Sequence, residues 1–480
     1  MFHLFFTFSF LFSTVAADLY ICNGTNTINA PANLNSTINY PSSWNESQTI
    51  PTYQFNQQCR WNIEVPQGYF AFLSLNAETP TNSSLQLIYA NGMIDNVVGN
   101  AVKFPYFFLA PKFSIVLQAN SMKSGQLAFS ISYSKMPNFN PDTHSLSATD
   151  PEIISDLTAC VITAPTQVSL IASNTANFLF YPYNRLFVVF DGSSPNATCL
   201  GNLYQALASG KQLVSSGKTL TVMNLLPAMS NLGNFIMVQD HSNVKQFANY
   251  RLASCISTTD CYQGLSSVNG TTAVVSLSKS ASYLKSATID PHSNLNVYYG
   301  SIKNSNLVSS YNSKSTGFPQ KLNNYMTTFV LDSNTALLEL SFENLMTTWN
   351  AAYDNRTGYV TSPNFGVSSV YQSVIEAISG NDYYNYTTKV INHGLVGNAT
   401  LQITTYDKSG NAIDDHIYNK NNLPPTNQDV HSGKTLSITY QTNGENTTGA
   451  LIDFSIAKIS DNGTGILMLW VTFAISLLFL

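Results

Sequence analysis

Apolar and polar residues alternate in short runs along most of this chain. Phe70–Leu75, Phe113–Leu117, Leu127–Tyr133, Leu401–Thr405, Leu436–Tyr440 and Leu451–Ile456 each repeat with a period of two. That period places successive side chains on opposite faces of an extended strand. Turn-forming residues interrupt the runs every 8–12 positions, which predicts antiparallel β-sandwiches. Helical periodicity is scarce. The stretch SVYQSVIEAIS (369–379) is the main exception and reads as a short helix or another strand.

The pattern also repeats over a longer distance. FVVFDGSS (187–194) aligns without gaps on ITTYDKSG (403–410) at an offset of 216 residues, and the same offset places SGKTLTV (216–222) on SGKTLSI (432–438). In both copies a strand ends in an aromatic-Asp turn, a polar loop follows, and Ser-Gly-Lys opens the next strand. Weaker copies end at Tyr89 and Tyr299. Tyr89, Phe190, Tyr299 and Tyr406 are spaced by 101, 109 and 107 residues, so four tandem modules are expected. The expected division is 18–150, 151–262, 263–350 and 351–460.

Both ends are apolar. Residues 1–17 read as a secretory signal peptide with cleavage after Ala17. The final run, GILMLWVTFAISLLFL (465–480), is short for a membrane span and has no basic residue after it. With the polar ISDNGTG before it, segment 461–480 reads as the signal for a glycosylphosphatidylinositol (GPI) anchor, with Ser460 and Asn462 as attachment candidates. A plain transmembrane tail is the alternative.

Charge and cysteines sharpen this picture. Charged residues make up 10% of the chain and the net charge is −5, with no basic patch for nucleic acid. Eleven Asn-x-Ser/Thr sequons offer another source of solubility. Asn23, Asn35, Asn45, Asn82, Asn196, Asn269, Asn355, Asn385, Asn398 and Asn446 are the expected glycan carriers; the eleventh, Asn462, lies at the anchor signal. Cys22, Cys59, Cys160, Cys199, Cys255 and Cys261 are expected in disulfides. Cys22 and Cys59 lie together far from the rest. The other four allow Cys160–Cys199 with Cys255–Cys261, or Cys160–Cys255 closing the ends of one module; the last three cysteines and Cys160 are all placed in segment 151–262.

The phrase GYVTSPNFG (358–366) resembles the opening of a CUB domain, Gly-x-(Ile/Val)-x-Ser-Pro-x-(Tyr/Phe). TINYPSSWN (37–45) is its counterpart in the first module, CRWNIEVPQGY (59–69) resembles the CUB phrase Cys-x-Trp-x-Ile-x-x-Pro-x-Gly-(Tyr/Phe), and FSISYS (129–134) resembles the closing strand. The first module is most similar to the CUB-like domain of nematode secreted proteins. The resemblance implies an all-β fold of tandem CUB-like, jelly-roll-like sandwiches and a Cys22–Cys59 bridge. It also implies extracellular recognition or adhesion, with several relatives implicated in intestinal defence. Calcium-binding CUB domains place a Glu and two Asp residues near one loop end, with a Tyr-Asp pair in the strand that reads LIYANG here; Ala90 and Asn91 replace the acid, so no calcium is expected in the first module. The fourth keeps Tyr406-Asp407, followed by Asp414-Asp415-His416, where a metal site and a solvated loop are both open readings; no metal or cofactor is expected overall.

No zinc-protease helix, Gly-x-Ser-x-Gly elbow or phosphate loop occurs, and the seven histidines show no pair at metal-ligand spacing. No enzymatic activity is expected. Tyr383, Tyr384 and Tyr386 in SGNDYYNYTT are the leading candidates for exposed aromatics that grip a ligand. The expected protein is a glycosylated, GPI-anchored module array on the outer face of the plasma membrane. The expected role is recognition or adhesion toward an unidentified extracellular protein or glycan, with innate defence as its setting, a structural coat glycoprotein as the second reading and a secreted hydrolase as the outsider.

Overall fold

The computed structural model describes residues 21–459, apart from 23, 121, 174–177, 230–232, 254, 256–259 and 279–281. Asn23, Ser460, Asn462, the leader and the tail therefore lie outside the described residues.

The alternating runs form seven sheets. In the first sandwich, Gly24–Ile28, Gln58–Glu64, Lys112–Gln118, Ser84–Ile88 and Ile94–Val97 lie side by side in that order. They face a sheet of Ile38–Tyr40, Gly125–Lys135, Tyr69–Glu78 and Asn100–Leu109. Trp61, Leu73, Phe113 and Phe129 are fully buried between the two layers. Their burial follows from the period-two pattern: Gln58–Glu64 turns Cys59, Trp61 and Ile63 inward and its polar residues outward.

The next two sandwiches repeat this arrangement strand for strand. The five-stranded layers run Asp142–Ser145, Ala159–Thr163, Thr219–Asn224, Phe187–Asp191, Thr198–Asn202 in the second, and Asn249–Leu252, Thr272–Leu277, Met326–Leu331, Leu295–Tyr299, Leu307–Tyr311 in the third. All three open with a parallel pair and continue antiparallel. The four-stranded layers of the second and third sandwiches also correspond.

In the fourth, one strand replaces two. Val374–Asn392 pairs through Val374–Ser379 with the end of Asp429–Gln441, then through Tyr384–Thr388 with its beginning. From Tyr384 it also pairs with Leu451–Lys458. A strand that runs unbroken from one layer into the other joins them as a six-stranded sheet. The 369–379 stretch is thus mostly strand. The repeat aromatics occupy one topological place: Tyr89 follows Ser84–Ile88, and Phe190, Tyr299 and Tyr406 lie in Phe187–Asp191, Leu295–Tyr299 and Thr400–Tyr406, each the strand before a hairpin.

Two cysteine expectations need correction. Cys261 begins Cys261–Ser266, which pairs with Thr335–Ser341, so Cys255 and Cys261 belong to the third sandwich, and a boundary at 262 cuts a strand. They are bonded to each other, as are Cys22 and Cys59. Cys160 and Cys199 are free thiols. They share a layer, but Thr219–Asn224 and Phe187–Asp191 lie between their strands. Three strand spacings amount to roughly 14 Å, twice the reach of a disulfide.

Candidate functional site

A cleft of about 570 Å³ lies where the first sandwich meets the second. Tyr69, Phe107 and Leu109 come from the first sandwich's four-stranded layer, and the turn at Tyr89-Ala90-Asn91 from its other layer. The second sandwich supplies Val188 and Phe190 from one strand, Thr198, Cys199 and Gly201 from the next, and Asn202 and Gln205 from the helix Leu203–Ser209 and its cap.

The polar groups are held by local rules. Asn202 caps the helix: its Oδ1 accepts from the Gln205 backbone N–H at 3.0 Å, and Gln205 Oε1 accepts from the Asn202 N–H at 3.1 Å. This fixes the Gln205 carboxamide with Oε1 satisfied. Its Nε2 is buried and has no hydrogen-bond partner among the described residues. Asn91 Oδ1 accepts from the Met93 N–H, and its Nδ2 reaches across to the Cys199 carbonyl at 3.4 Å. The lining contains no His, Asp, Glu, Lys or Arg. Burial pushes the Cys199 thiol up to about 11, so it is not a ready nucleophile at neutral pH. The cleft is uncharged, with Tyr69 and several amide side chains along its walls, an arrangement whose chemistry suits a neutral ligand.

A buried charge network supports the cleft. Arg185, 2% exposed, pairs through Nε with Asp95 Oδ2 at 2.8 Å. Its guanidinium lies 3.2 Å from the centroid of the Tyr204 ring and 4.4 Å from that of Tyr106. Tyr89, a cleft residue, donates its hydroxyl to the same Asp95 oxygen. Burial, followed by the Asp95 charge, raises the Tyr89 hydroxyl well above its ordinary value, so it remains a donor. Asp95 belongs to the first sandwich and Arg185 to the second, so the pair fixes the two walls against each other.

The predicted site residues fall elsewhere. Tyr384 and Tyr386 are buried at 5% and 0%, and only Tyr383 of that trio is exposed. Period-two alternation along Val374–Asn392 turns both inward, where the Tyr386 hydroxyl donates to the Lys434 carbonyl. Asn35, Asn45, Asn82, Asn196, Asn269, Asn355, Asn398 and Asn446 are exposed and Asn385 is half-buried. Asn196 also stands on the cleft wall.

The acids of the fourth sandwich separate into three roles. Asp407 closes its own turn, accepting from the backbone N–H groups of Ser409 and Asn411. Asp415 accepts from Gln402 and Thr404. Asp414 joins two histidines, with Oδ1 2.7 Å from His416 Nε2 and Oδ2 2.8 Å from His431 Nδ1. Sequence spacing gave no sign of His431 in this cluster, nor of Arg185, Asn202 and Gln205 near the first module. The relevant strands meet only through tertiary packing.

Comparison with known proteins fits this architecture. A CUB-like domain model matches residues 17–137, and two models for domains of unknown function match 144–225 and 242–343. The first and third matches span the first and third sandwiches, the second stops short of the strand Ile236–Asp240, and the third begins ahead of Cys255. No curated protein matches the chain. Among solved structures, the CUB1-EGF-CUB2 domains of rat MASP-1 are 9% identical, with 45% of this chain and 100% of that chain covered, at a TM-score of 0.19. The extracellular region of zebrafish Gpr126/Adgrg6 is 11% identical, with 68% and 54% covered, at a TM-score of 0.19. The protein is an all-β chain of antiparallel sandwiches, and its N-terminal sandwich is a CUB-like domain.

Proposed function

We propose that this protein acts outside the cell in recognition or adhesion, without enzymatic activity, and that it binds a neutral glycan in the cleft between the first two sandwiches. The observation that carries this reading is the uncharged, aromatic-walled cleft with the buried, unpartnered Gln205 Nε2. A sugar hydroxyl would satisfy that donor, and the half-buried Tyr69 would stack on a pyranose face. The leader and the C-terminal signal fit export and a lipid anchor on the outer face of the plasma membrane, and the nematode resemblance fits a role in intestinal defence. Among the described residues, no helix is long and apolar enough to cross a membrane.

The test is saturable binding of the mature, natively glycosylated chain to a glycan array, to intact bacteria and to fungal cells. Tyr69→Ala and Gln205→Leu are expected to weaken saturable binding by about 10-fold or more, since each removes contacts on the order of 1–3 kcal/mol. Binding that persists unchanged in both variants removes the cleft from the proposal. Phosphatidylinositol-specific phospholipase C is expected to release the protein from cells; retention after treatment counts against the anchor.

A second reading is favoured by the exposed sequons, which are spread over all four sandwiches. A coat glycoprotein would show no saturable ligand and would lose its function on removal of glycans. Asn196→Gln separates the two readings at the cleft: gained binding means that the chain's own glycan occupies the rim.

A further inference from the structure

The fourth sandwich carries a cluster that the recognition proposal does not use. We propose that Asp414, His416 and His431 form a binding site for a divalent transition metal of the zinc class. One ligand atom from each residue lies within 4.8 Å of the other two.

The local fold explains the convergence. Asp414 and His416 are two apart on the strand Ala412–Tyr418, so the pleat puts both on the same face, with Tyr418 next along it. Ile413, Asp415 and Ile417 point the other way and are exposed. His431 comes from Asp429–Gln441, and is 1% exposed. The two imidazoles stand nearly perpendicular, with ring centroids 5.2 Å apart. His431 is held from behind: Nδ1 faces Asp414, while Nε2 lies 3.2 Å from Thr388 Oγ1 and 3.7 Å from Asp429 Oδ2. A metal-bound histidine is ordinarily oriented by a polar partner on its second nitrogen, and Thr388 Oγ1 takes that place here, with the Asp429 carboxylate nearby.

The geometry is close to that of a filled site. Zinc–nitrogen and zinc–oxygen bonds of about 2.0–2.2 Å in a tetrahedron put neighbouring ligand atoms roughly 3.3 Å apart. His416 Nε2 lies 2.7 Å from Asp414 Oδ1 and His431 Nδ1 2.8 Å from Asp414 Oδ2, and with all three ligand atoms within 4.8 Å of one another small side-chain adjustments bring them to those separations. Two imidazoles and one carboxylate suit zinc far better than calcium, which takes six or more oxygens. Asp414 and His416 are 35% and 40% exposed, so an ion can enter from solvent. Water or a donor atom from a bound partner would complete the tetrahedron. The ion would tie the edge strand Ala412–Tyr418 to the start of Asp429–Gln441.

The experiment uses the mature chain, untagged and stripped with chelator. Zinc is titrated calorimetrically, cobalt is followed by its visible absorption, and calcium serves as the third arm. One zinc per chain is expected, together with a tetrahedral cobalt spectrum and a raised Tm. His416→Gln, at an exposed position that leaves the core intact, is expected to lose zinc affinity by more than about 100-fold and to lose the Tm response. Thr388→Val is expected to weaken zinc by about 10–100-fold. His292→Gln, in the third sandwich, is expected to change neither. The proposal is overturned by an absence of zinc binding in the wild type, by equal binding in wild type and His416→Gln, or by calcium displacing zinc as the preferred ion.

Discussion

Arg185 holds a full charge at 2% exposure, with Asp95 at 6% as its partner. Removing one member of such a pair leaves the other charge buried without compensation, a cost of about 3–5 kcal/mol. Arg185→Met is therefore expected to lower the midpoint of the first denaturant-induced transition. The double variant Arg185→Met with Asp95→Leu is expected to recover much of that loss, since neither charge then remains. Equal destabilisation by the single and double variants would mean that the aromatic packing, and not the charge pair, dominates. The free thiols give a second test at this scale. Burial pushes Cys160 up to about 12 and Cys199 up to about 11. Both therefore hold their protons at neutral pH. Two alkylated cysteines are expected on unfolding without reductant and six after reduction, with neither thiol reacting quickly in the folded protein. Mass spectrometry of the alkylated chain reads this directly, and a native Cys160–Cys199 bridge would show as no alkylation before reduction.

At the scale of elements, the two disulfides differ in the loops that they close. Cys22 and Cys59 are 37 residues apart, and Cys255 and Cys261 are 6 apart. Chain-entropy estimates give about 4 kcal/mol for the first and about 2 for the second. Removing Cys22–Cys59 is expected to lower the Tm of the first sandwich more than removing Cys255–Cys261 lowers that of the third. The glycine of GYVTSPNFG has an equally local cause. A Cβ built on Gly358 would sit 2.7 Å from Phe454 Cζ, on the neighbouring strand. Gly358→Val is expected to cost about 1–3 kcal/mol by overpacking, measured as a lower unfolding midpoint for the fourth sandwich. An unchanged midpoint would show that the Phe454 ring moves aside freely.

At the scale of the whole molecule, the sandwiches are joined by packed interfaces. Ile171, Met237, Phe247 and Tyr250 form one apolar cluster across the second and third, and Gln239 Nε2 donates to the Tyr250 hydroxyl. Between the third and fourth, Lys321 pairs with Glu376, which also accepts from Trp349 Nε1 at 3.0 Å. The Gln320 carboxamide bonds both the N–H and the carbonyl of Tyr359. Asp453 lies in a cleft of about 350 Å³ at this junction, flanked by Tyr311, Tyr359 and Lys389. Burial raises its carboxyl to about 6, against a smaller opposing pull from Lys389. The folded state then binds more protons than the unfolded state between pH 4 and 6, so stability falls as pH rises through that window. Asp453→Asn is expected to flatten the slope and to raise stability at neutral pH, on the order of 1–3 kcal/mol. A slope that survives in Asp453→Asn would assign the pH dependence to another group.

The strands, the all-β class, the repeated strand-then-hairpin unit and the CUB-like phrases of the first module were legible in the sequence, because each depends on neighbours two residues apart or on a turn of a few residues. Phe190 and Tyr406 could be placed in equivalent strands from their local phrases alone. The cysteine partners were only partly legible. Cys22 and Cys59 stood apart from the rest, whereas the separation of Cys160 from Cys199 depends on strand order, which skips from Ala159–Thr163 through Thr219–Asn224 before reaching Thr198–Asn202. The inward turn of Tyr384 and Tyr386 depends on the register of one long strand, which polar neighbours in the sequence disguised. The sequence by itself therefore determined the local β pattern and its repetition. Tertiary structure alone decided the Arg185–Asp95 pair, the cleft around Gln205 and the meeting of Asp414, His416 and His431. Those contacts join strands from different sandwiches or from different hairpins, and they form only when the sheets stack, twist and bury their shared faces.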